Sequence, residues 1–268
     1  LEETSLIFEN NDPKVEVPQK DLTSVVLQRV DELKEKSALI DGVSGRTLSY
    51  YELRSQIDHL ATGLHQRSFK KGDVCAVFCP NLPEYATIFL GVAAIGGINT
   101  TVNSLYSIND LIHQFNDSKA KFLITIPEFM DRALPAAEKC GIEEIFVLGE
   151  AKGATPFSEL LENDGVPPEV IIDPKNDLVA LPYSSGTTGL SKGVMLTHEN
   201  LVSDMVLTTS INTLTDDDVL IGVLPFFHIY GMVLILNLAI FKGVTLVTMP
   251  RFDLEQFLQI VQEYKITC

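Results

Sequence analysis

The sequence predicts an α/β fold, in which helices cover a largely parallel β-sheet. Short, continuous apolar segments, typical of buried strands, alternate with segments whose apolar residues recur at helical spacing. The chain has 268 residues, which is enough for one large domain or two subdomains with a sizeable core. No internal repeat or low-complexity tract interrupts the alternation. We therefore expect layered βαβ units.

The first segments of the chain predict an extended arm, a hairpin and a helix. Residues 1–20 are polar, contain two prolines and are expected to form the arm. Helical spacing begins after Asp21, and two short apolar runs around a glycine-containing turn at residues 42–45 predict a β-hairpin. Ser49 followed by Glu52 is the capping-box pattern that opens a helix.

Strands and helices then alternate through most of the chain, which implies right-handed crossovers and parallel strands. The predicted strands are residues 74–79, 122–125, 145–148, 178–183, 194–196, 219–224 and 245–248. The predicted helices begin at Pro83, Ser107, Met130, Thr197, near Gly231 and at Asp253. Residues 150–174, rich in Gly, Pro and acidic residues, predict a boundary. We therefore divide the chain into the arm (1–20), a first α/β subdomain (21–150) and a second α/β segment (151–268).

Residues 183–193, Tyr-Ser-Ser-Gly-Thr-Thr-Gly-Leu-Ser-Lys-Gly, combine glycines, hydroxyls and one lysine in a loop between strand-like runs. Gly186, Gly189 and Gly193 allow backbone conformations in which several N–H groups converge on one anion. Lys192 supplies positive charge, and four hydroxyls can donate to phosphate oxygens or bind Mg²⁺. The hydroxyls belong to Ser184, Ser185, Thr187 and Thr188.

The spacing of this loop differs from the Walker A motif. That motif needs glycine at position 191 and Ser or Thr at 193, where the chain has Ser191 and Gly193. Composition alone also fits a flexible Gly/Ser/Thr linker. A single lysine in a loop flanked by apolar strands favours a polyphosphate site instead.

Charge, hydropathy and cysteine spacing exclude several functions. The 36 acidic and 20 basic residues give a formal charge of −16, so we do not expect nucleic-acid or anionic-membrane binding. The longest apolar run, residues 229–241, has 13 residues, whereas a membrane span needs about 20. The spacing of the four cysteines fits free thiols in a reducing compartment better than disulfides or a zinc site. His198 is expected to be structural, and Asp216–Asp218 to form a solvated loop rather than a metal site.

Residues 183–193 resemble the phosphate-loop signature of the adenylate-forming superfamily. This superfamily includes acyl- and aryl-CoA ligases such as para-coumarate–CoA ligase, the firefly luciferases and the adenylation domains of peptide synthetases. The likeness continues through residues 195–198 and reappears at residues 224–231, Leu-Pro-Phe-Phe-His-Ile-Tyr-Gly. Ser191 stands where many members have proline. The resemblance implies layered βαβ subdomains of the N-terminal domain of such an enzyme, incomplete at the C-terminal end.

The resemblance also implies an AMP-forming acid–CoA ligase, which joins a fatty or aryl acid to AMP, releases pyrophosphate and then forms the CoA thioester. ATP, Mg²⁺ and CoA are the implied cofactors and co-substrates. His228 and Tyr230 are implied to contact the substrate and the acyl-adenylate, with His228 and Thr188 in catalysis and Thr188 on the metal. Arg251 is implied to contact CoA. The implied phosphate ligands are Ser184, Ser185, Gly186, Thr187, Thr188, Gly189 and Lys192.

Considered without the resemblance, His228 fits a packed residue among aromatic side chains, and Arg251 fits a solvated surface residue. The resemblance covers nearly the whole chain but only about half of a family enzyme. The family's later segments, which supply the adenine pocket, an acidic Mg²⁺ partner, a ribose-binding aspartate and a catalytic lysine, fall beyond residue 268. We therefore expect the chain by itself to be inactive in full turnover and to expose an unfinished sheet edge.

Two alternatives to the ligase stay open. One is a luciferase-like monooxygenase that uses an acyl-adenylate, and the other is a truncated, non-catalytic protein that binds nucleotide or a protein partner. The sequence starts without an initiating methionine or a secretory signal pattern, so we expect a processed or excised chain. The expected location is intracellular, in the cytoplasm or the peroxisome, and the expected partners are a small carboxylic acid, ATP and CoA.

Overall fold

The computed structural model describes residues 15–184, 191–211 and 213–268 of the chain. The strands are β1 (Ser37–Asp41), β2 (Thr47–Ser49), β3 (Val74–Phe78), β4 (Ile98–Thr101), β5 (Ala120–Thr125), β6 (Glu144–Val147), β7 (Thr155–Pro156), β8 (Leu178–Ala180), β9 (Tyr183–Ser184), β10 (Lys192–Gly193), β11 (Leu196–Thr197), β12 (Val219–Gly222) and β13 (Thr245–Thr248). The α-helices are α1 (Leu22–Val26), α2 (Val30–Leu33), α3 (Tyr50–Gln66), α4 (Glu84–Ala94), α5 (Ile108–Ser118), α6 (Met130–Cys140), α7 (His198–Thr209), α8 (Leu238–Lys242) and α9 (Leu254–Glu263). Two 3₁₀-helices span Pro127–Phe129 and Phe157–Leu160, and a π-helix spans Gly231–Asn237.

Seven strands form one sheet in the order β11-β8-β4-β3-β5-β6-β7. Its neighbouring strands are parallel except β11 and β8, which are antiparallel. Side chains of β3 alternate between two cores: Cys75 and Val77 pack in the core that contains α3 and α4, whereas Ala76 and Phe78 pack with α5 and α6. A strand buried on both faces requires this alternation. The predicted α/β fold with a largely parallel sheet is confirmed.

A second sheet has the strand order β12-β13-β1-β2. Strands β12, β13 and β1 are parallel, and β2 is antiparallel to β1 in the predicted hairpin. Helix α9 covers one face of this sheet through Ile260, which packs on Val247 and Met249. At the β12 edge, Thr267 and Cys268 make backbone hydrogen bonds to that strand. The sequence predicts the hairpin and a strand at residues 245–248, but it does not predict that the two pair.

The predicted helix starts at Ser49, Ser107 and Thr197 are confirmed. Each of these side chains accepts a hydrogen bond from the backbone N–H three residues later, and the third residue of each helix bonds back to the cap. These bonds satisfy backbone N–H groups that the first helical turn leaves without partners. The capping at Thr197 places His198 at the first position of α7.

Three local features differ from the sequence-based expectations. Strand β4 was not predicted, because three of its four residues are polar; Asn99, Thr100 and Thr101 are nevertheless buried. The predicted strand 178–183 is divided into β8 and β9. The predicted strand 194–196 overlaps only β11, because residues 194 and 195 lie between β10 and β11. The helix near Gly231 begins as a π-helix, whose hydrogen-bond pattern cannot be derived from apolar spacing.

The cysteines and the lengths of the helices bear on two further expectations from the sequence. All four cysteines are free thiols, and Cys75 and Cys79 are buried, as predicted. Among the described residues, the helices lack the combination of length and apolar character that crossing a bilayer demands.

Candidate active site

A cavity of about 420 Å³ lies where the paired strands β9 and β10 meet the segment that follows β12. Its walls come from three parts of the chain: the end of β4, the hairpin strands with their flanks, and the segment after β12. The lining residues are Thr101, Asn103, Tyr106, Pro182, Tyr183, Ser184, Val194, Leu196, Phe227, His228 and Ile229. One wall therefore stands at the carboxyl end of a parallel strand, where α/β proteins usually bind ligands.

The hairpin β9–β10 brings a hydroxyl and a positive charge together. Lys192 pairs with Ser184 across the two antiparallel strands, and both residues are exposed. The Val194 N–H extends the pairing by donating to the Pro182 carbonyl at 2.8 Å. Ser184 lines the cavity, so the Lys192 ammonium is carried on the strand next to a cavity wall.

Five of the predicted phosphate ligands lie outside the described residues: Ser185, Gly186, Thr187, Thr188 and Gly189. Their roles, including that of Thr188 as a Mg²⁺ ligand, stay predictions. Within residues 15–184, 191–211 and 213–268, no group of three or more His, Cys, Asp or Glu side chains is placed to hold a metal ion.

Gly193 serves the hairpin in a different way from the one predicted. Its φ is not among the positive values of the described residues, so it does not need the conformational freedom of glycine. A Cβ at this position would lie 3.1 Å from Cε2 of Tyr183. Glycine therefore lets the tyrosine ring lie against the backbone, and a larger residue here would push the ring away by a few tenths of an ångström.

His228 belongs to a short turn that glycine makes possible. The His228 N–H donates to the Pro225 carbonyl at 3.1 Å, and a Cβ on Gly231 would lie 2.1 Å from that carbonyl oxygen. The Tyr230 N–H donates to Nδ1 of His228 at 3.3 Å. Because Nδ1 accepts this bond, the proton of a neutral His228 ring is assigned to Nε2, which can donate to a ligand oxygen.

Asn81 fixes this segment against the seven-stranded sheet. Its Nδ2 donates to the Gly222 and Leu224 carbonyls, and its Oδ1 accepts from the Phe226 N–H, all at 2.9 Å. Thr101 Oγ1 donates to the Phe227 carbonyl at 2.7 Å. These bonds set the backbone on both sides of Phe227 and so determine where His228 lies.

The end of β4 connects the two main walls of the cavity. Gln114 is fully buried, and its Nε2 donates to Thr100 Oγ1 at 2.8 Å and to the Thr101 carbonyl at 3.1 Å. Thr100 Oγ1 in turn donates to the Leu181 carbonyl at 3.0 Å, just before the hairpin. Thr101 holds the His228 segment, so adjacent threonines position both walls. No pattern in the sequence indicates this network, because buried and exposed Thr, Asn or Gln look alike in a sequence.

Tyr230 and Arg251 line neighbouring cavities rather than the first one. Tyr230 lines a cavity of about 550 Å³ next to Leu224. Arg251 lines a cavity of about 870 Å³, which shares Asn103 and Phe227 with the first cavity. The structure thus brings His228 together with Ser184, and it places Tyr230 and Arg251 outside that cavity. Their substrate and CoA roles stay predictions.

Arg132 also lines the Arg251 cavity and was not singled out from the sequence. Its guanidinium donates to the Ser104 and Tyr106 carbonyls and lies 4.8 Å from the Phe129 ring centroid. These contacts hold the segment after β4 against α6. Arg132 therefore has a structural role, and Arg251 is the exposed cation of this cavity.

Two other candidates have structural partners. His198 is buried, its Nδ1 accepts the Leu22 N–H at 3.1 Å, and burial lowers its pKa to about 4. Asp216 forms an ion pair with Arg29 at 2.6 Å, and Asp218 accepts the Thr215 N–H at 2.8 Å. These contacts agree with the structural interpretation of His198 and the loop interpretation of Asp216–Asp218.

The family model described as "AMP-binding enzyme" matches residues 26–268. A 4-coumarate–CoA ligase 2 of Petroselinum crispum is 36% identical over 98% of this chain and 49% of its own length. A long-chain-fatty-acid–CoA ligase of Archaeoglobus fulgidus superposes with a TM-score of 0.88 at 26% identity, over 97% of this chain and 53% of that one. A red-emitting luciferase of Phrixothrix hirtus superposes with a TM-score of 0.85 at 22% identity, over 96% of this chain and 51% of its own, which shows the shared fold alone. The chain thus spans about half the length of the curated relatives it matches.

Proposed function

Because the chain belongs to the AMP-binding enzyme family, we propose that it forms part of an ATP-dependent ligase that joins a fatty or aryl carboxylic acid to CoA. The similar proteins named as CoA ligases support this reaction class. The observation that carries the proposal is the shared cavity of Ser184 and His228, with Lys192 on the strand next to Ser184. A hydroxyl and an ammonium suited to phosphate thus lie near a hydrogen-bond donor suited to a carboxylate.

The reaction has two steps. A carboxylate oxygen of the acid attacks the α-phosphorus of ATP, a new O–P bond forms, and the bond to the leaving pyrophosphate breaks. The sulfur of the CoA thiol then attacks the acyl carbon, the thiol proton is lost, and AMP leaves. Neither step needs a nucleophile from the protein, so the site acts by aligning the reactants and neutralising charge.

Lys192 and Ser184 are the described residues suited to the departing phosphates. An ammonium is a compact charge that stabilises phosphate oxygens, and the serine hydroxyl donates a hydrogen bond to them. Their strand pairing fixes the spacing between the two groups. Mg²⁺ bound with ATP would further spread the phosphate charge, and its predicted ligand Thr188 lies outside the described residues.

His228 is suited to the acyl end of the reaction. With Nδ1 occupied by the Tyr230 N–H, its Nε2–H is directed to serve as the donor for a carboxylate or acyl-phosphate oxygen. Phe227, Ile229 and Val194 give the same cavity apolar walls, which suit an aliphatic or aromatic acid. We propose that His228 contacts the acyl-adenylate. The rest of the acyl chain would extend into one of the two neighbouring cavities.

Carboxylate-dependent exchange between ATP and pyrophosphate tests this proposal. The full-length natural protein that contains this chain is assayed with a panel of fatty, cinnamic and amino acids. We expect exchange with a fatty or cinnamic acid, and Lys192→Ala should lower kcat/KM for ATP by about 10- to 100-fold, because a charge-assisted hydrogen bond is lost. The matched control is Lys139→Ala, an exposed lysine on α6.

Two outcomes would reject the proposal. One is a folded full-length protein that exchanges pyrophosphate with none of the acids. The other is a Lys192→Ala variant that keeps the activity of the Lys139→Ala control. Exchange with amino acids alone would keep adenylation but replace the substrate class.

A further inference from the structure

The hairpin β9–β10 is too short to hold its own shape. Each strand has two residues, and an isolated two-stranded hairpin is marginal in water even when it is longer. At its base the hairpin continues, through the bond from the Val194 N–H to the Pro182 carbonyl, into the paired strands β8 and β11 of the seven-stranded sheet. Ser184 and Lys192 lie at the end away from that sheet, where side chains of α5 reach both sides of the hairpin.

Two side chains of α5 contact the two strands of the hairpin separately. His113 Nε2 is 2.8 Å from the Ser191 carbonyl oxygen, next to Lys192. Asp117 Oδ2 accepts a hydrogen bond of 2.6 Å from the Tyr183 hydroxyl, next to Ser184. Residues four apart lie on the same face of a helix, so one face of α5 reaches both strands.

Tyr183 contacts both His113 and Asp117. Its ring meets the His113 ring edge-on, with centroids 6.2 Å apart and an interplanar angle of 90°. The tyrosine ring also lies against Gly193, where a Cβ would be 3.1 Å from Cε2. Burial, and then the hydrogen bond to the Asp117 carboxylate, raise the pKa of Tyr183, so its hydroxyl stays protonated and remains a donor.

The packing of α5 does not depend on these two side chains. The helix is buried through Leu111 and Phe115, which belong to the core shared with α6. His113 is only half-buried and Asp117 is exposed. Their contacts are therefore directed at the hairpin rather than at the core.

We propose that His113 and Asp117 are positioning residues, which clamp the hairpin β9–β10 so that Ser184 and Lys192 are held ready for a triphosphate. This inference rests on the proposed function, because the ligand of the hairpin is taken to be ATP. The clamp acts before ATP binds, since both contacts exist in the protein alone. Loss of the clamp is expected to weaken ATP binding while leaving the chemical step almost unchanged.

Two pairs of variants test the hydrogen bonds of His113 and Asp117. His113→Ala and Asp117→Ala remove both the hydrogen bond and the side chain. His113→Gln keeps an N–H donor, and Asp117→Asn keeps an oxygen acceptor. Asn116→Ala, on the exposed side of α5, is the control. Tyr183→Phe removes the hydroxyl and should behave like Asp117→Ala.

The first measurement needs no nucleotide. Amide hydrogen exchange is followed in the peptide that contains residues 182–194, where the Val194 N–H bonds to the Pro182 carbonyl. We expect faster exchange in both alanine variants, near-normal exchange in His113→Gln and Asp117→Asn, and no change in Asn116→Ala. Unchanged exchange in both alanine variants would overturn the clamp, and so would an equal rise throughout α5, which would indicate a loosened helix.

The second measurement uses ATP–pyrophosphate exchange by the full-length protein. In His113→Ala and Asp117→Ala we expect KM for ATP to rise about three- to tenfold, as for one lost hydrogen bond each, with little change in kcat. A loosened hairpin with an unchanged KM for ATP would overturn the positioning role. If the wild-type protein exchanges with no acid, the proposed function fails, and the nucleotide-free measurement still decides whether α5 holds the hairpin.

Discussion

His198 and His228 each lie at the start of a helix, but one is buried and the other is exposed. His198 is fully buried and its Nδ1 accepts a backbone N–H, whereas His228 is exposed at a cavity wall. Burial lowers the pKa of His198 from 6.5 to about 4. Between these values the unfolded chain binds a proton that the folded chain does not, so this residue makes stability fall as the pH drops from 6.5 towards 4.

We predict that His198→Asn removes this part of the pH dependence. Asparagine can place Oδ1 near the position of Nδ1 and does not titrate. The free energy of unfolding, from urea titrations at pH 7 and pH 5, should fall by about 2 kcal/mol more in the wild type than in the variant. The control is His65→Asn, an exposed histidine on α3, which should keep the wild-type difference. Equal pH dependence in His198→Asn and the wild type would contradict the prediction.

At the scale of residues, the sequence was informative where chemistry and local pattern coincide. The cap at Thr197 and the structural role of His198 follow from the helix start. Residues 183–193 were expected to form a loop, whereas Ser184 and Lys192 pair as strand residues, and their phosphate-binding role stays a prediction. Asn81 and Gln114 were missed, because their importance arises from burial beside chain segments distant in sequence. No local pattern distinguishes them from surface amides.

At the scale of elements, the segment between β12 and the π-helix has little regular structure of its own. Three of its backbone groups are satisfied from outside: Asn81 binds the Leu224 carbonyl and the Phe226 N–H, and Thr101 binds the Phe227 carbonyl. Asn81 follows β3 in the other sheet and is 5% exposed. A single amide thus links the two sheets next to the cavity.

We predict that Asn81→Ala lowers the free energy of unfolding by about 2–4 kcal/mol, because three backbone groups lose their partner and two of these bonds are buried. Urea unfolding at neutral pH measures the loss, and Asn116→Ala, an exposed position on α5, is the control. Hydrogen exchange should show the largest local effect at the Phe226 N–H. A loss no greater than that of the control would mean that water or a shifted backbone replaces the amide.

The elements themselves were predictable in proportion to their length and apolar character. Strands β3 and β5 contain continuous apolar runs, and the helices α3 and α5 combine helical periodicity with N-terminal caps; the structure has all four near the predicted positions. Strand β4 is polar and pairs by virtue of its neighbours β3 and β8, so propensity does not reveal it. The π-helix is equally invisible, because it changes the hydrogen-bond register without changing the composition.

At the scale of the whole molecule, the first hairpin joins the beginning of the chain to a late segment. Strand β1 pairs with β13, the Tyr50 hydroxyl donates to the Val244 carbonyl at 2.8 Å, and the Lys36 ammonium donates to the Gly243 carbonyl at 2.6 Å. Tyr50 also begins α3, which packs on α4 beside the seven-stranded sheet. The proposed division at residue 150 stays a prediction, and these contacts couple the segments on its two sides.

We predict that Tyr50→Phe destabilises both sheets together, by about 1 kcal/mol, since one buried hydrogen bond is lost and the Val244 carbonyl is left without it. Exchange rates of amides in β3 and in β13 are measured at increasing urea concentrations. Their unfolding midpoints should shift by the same amount in Tyr50→Phe and stay unchanged in Tyr51→Phe, whose side chain is exposed. A shift confined to β13 would show that the two sheets unfold separately.

Long-range pairing was the least predictable part of the fold. The sequence shows two short apolar runs around a glycine turn at residues 42–45, but nothing in those runs specifies β13 as their partner. Alternation of strands and helices predicts which strands are parallel, and it does not predict that the N-terminal hairpin completes a sheet begun by β12 and β13. The resemblance to a family suggested the candidate site residues, whereas the contacts that hold Ser184 and His228 in place are visible only in the structure.

The pairing of β1 with β13 also has a consequence for how the protein is made. On the ribosome, β13 emerges about 200 residues after the hairpin, which at about 5–20 residues per second is a delay of roughly 10–40 s. During that time the backbone edge of β1 has no strand to pair with and can join an edge on another nascent chain. We therefore expect co-translational chaperones to protect this edge between the translation of residues 49 and 245, and codons that slow elongation there to lower the yield without changing the final stability.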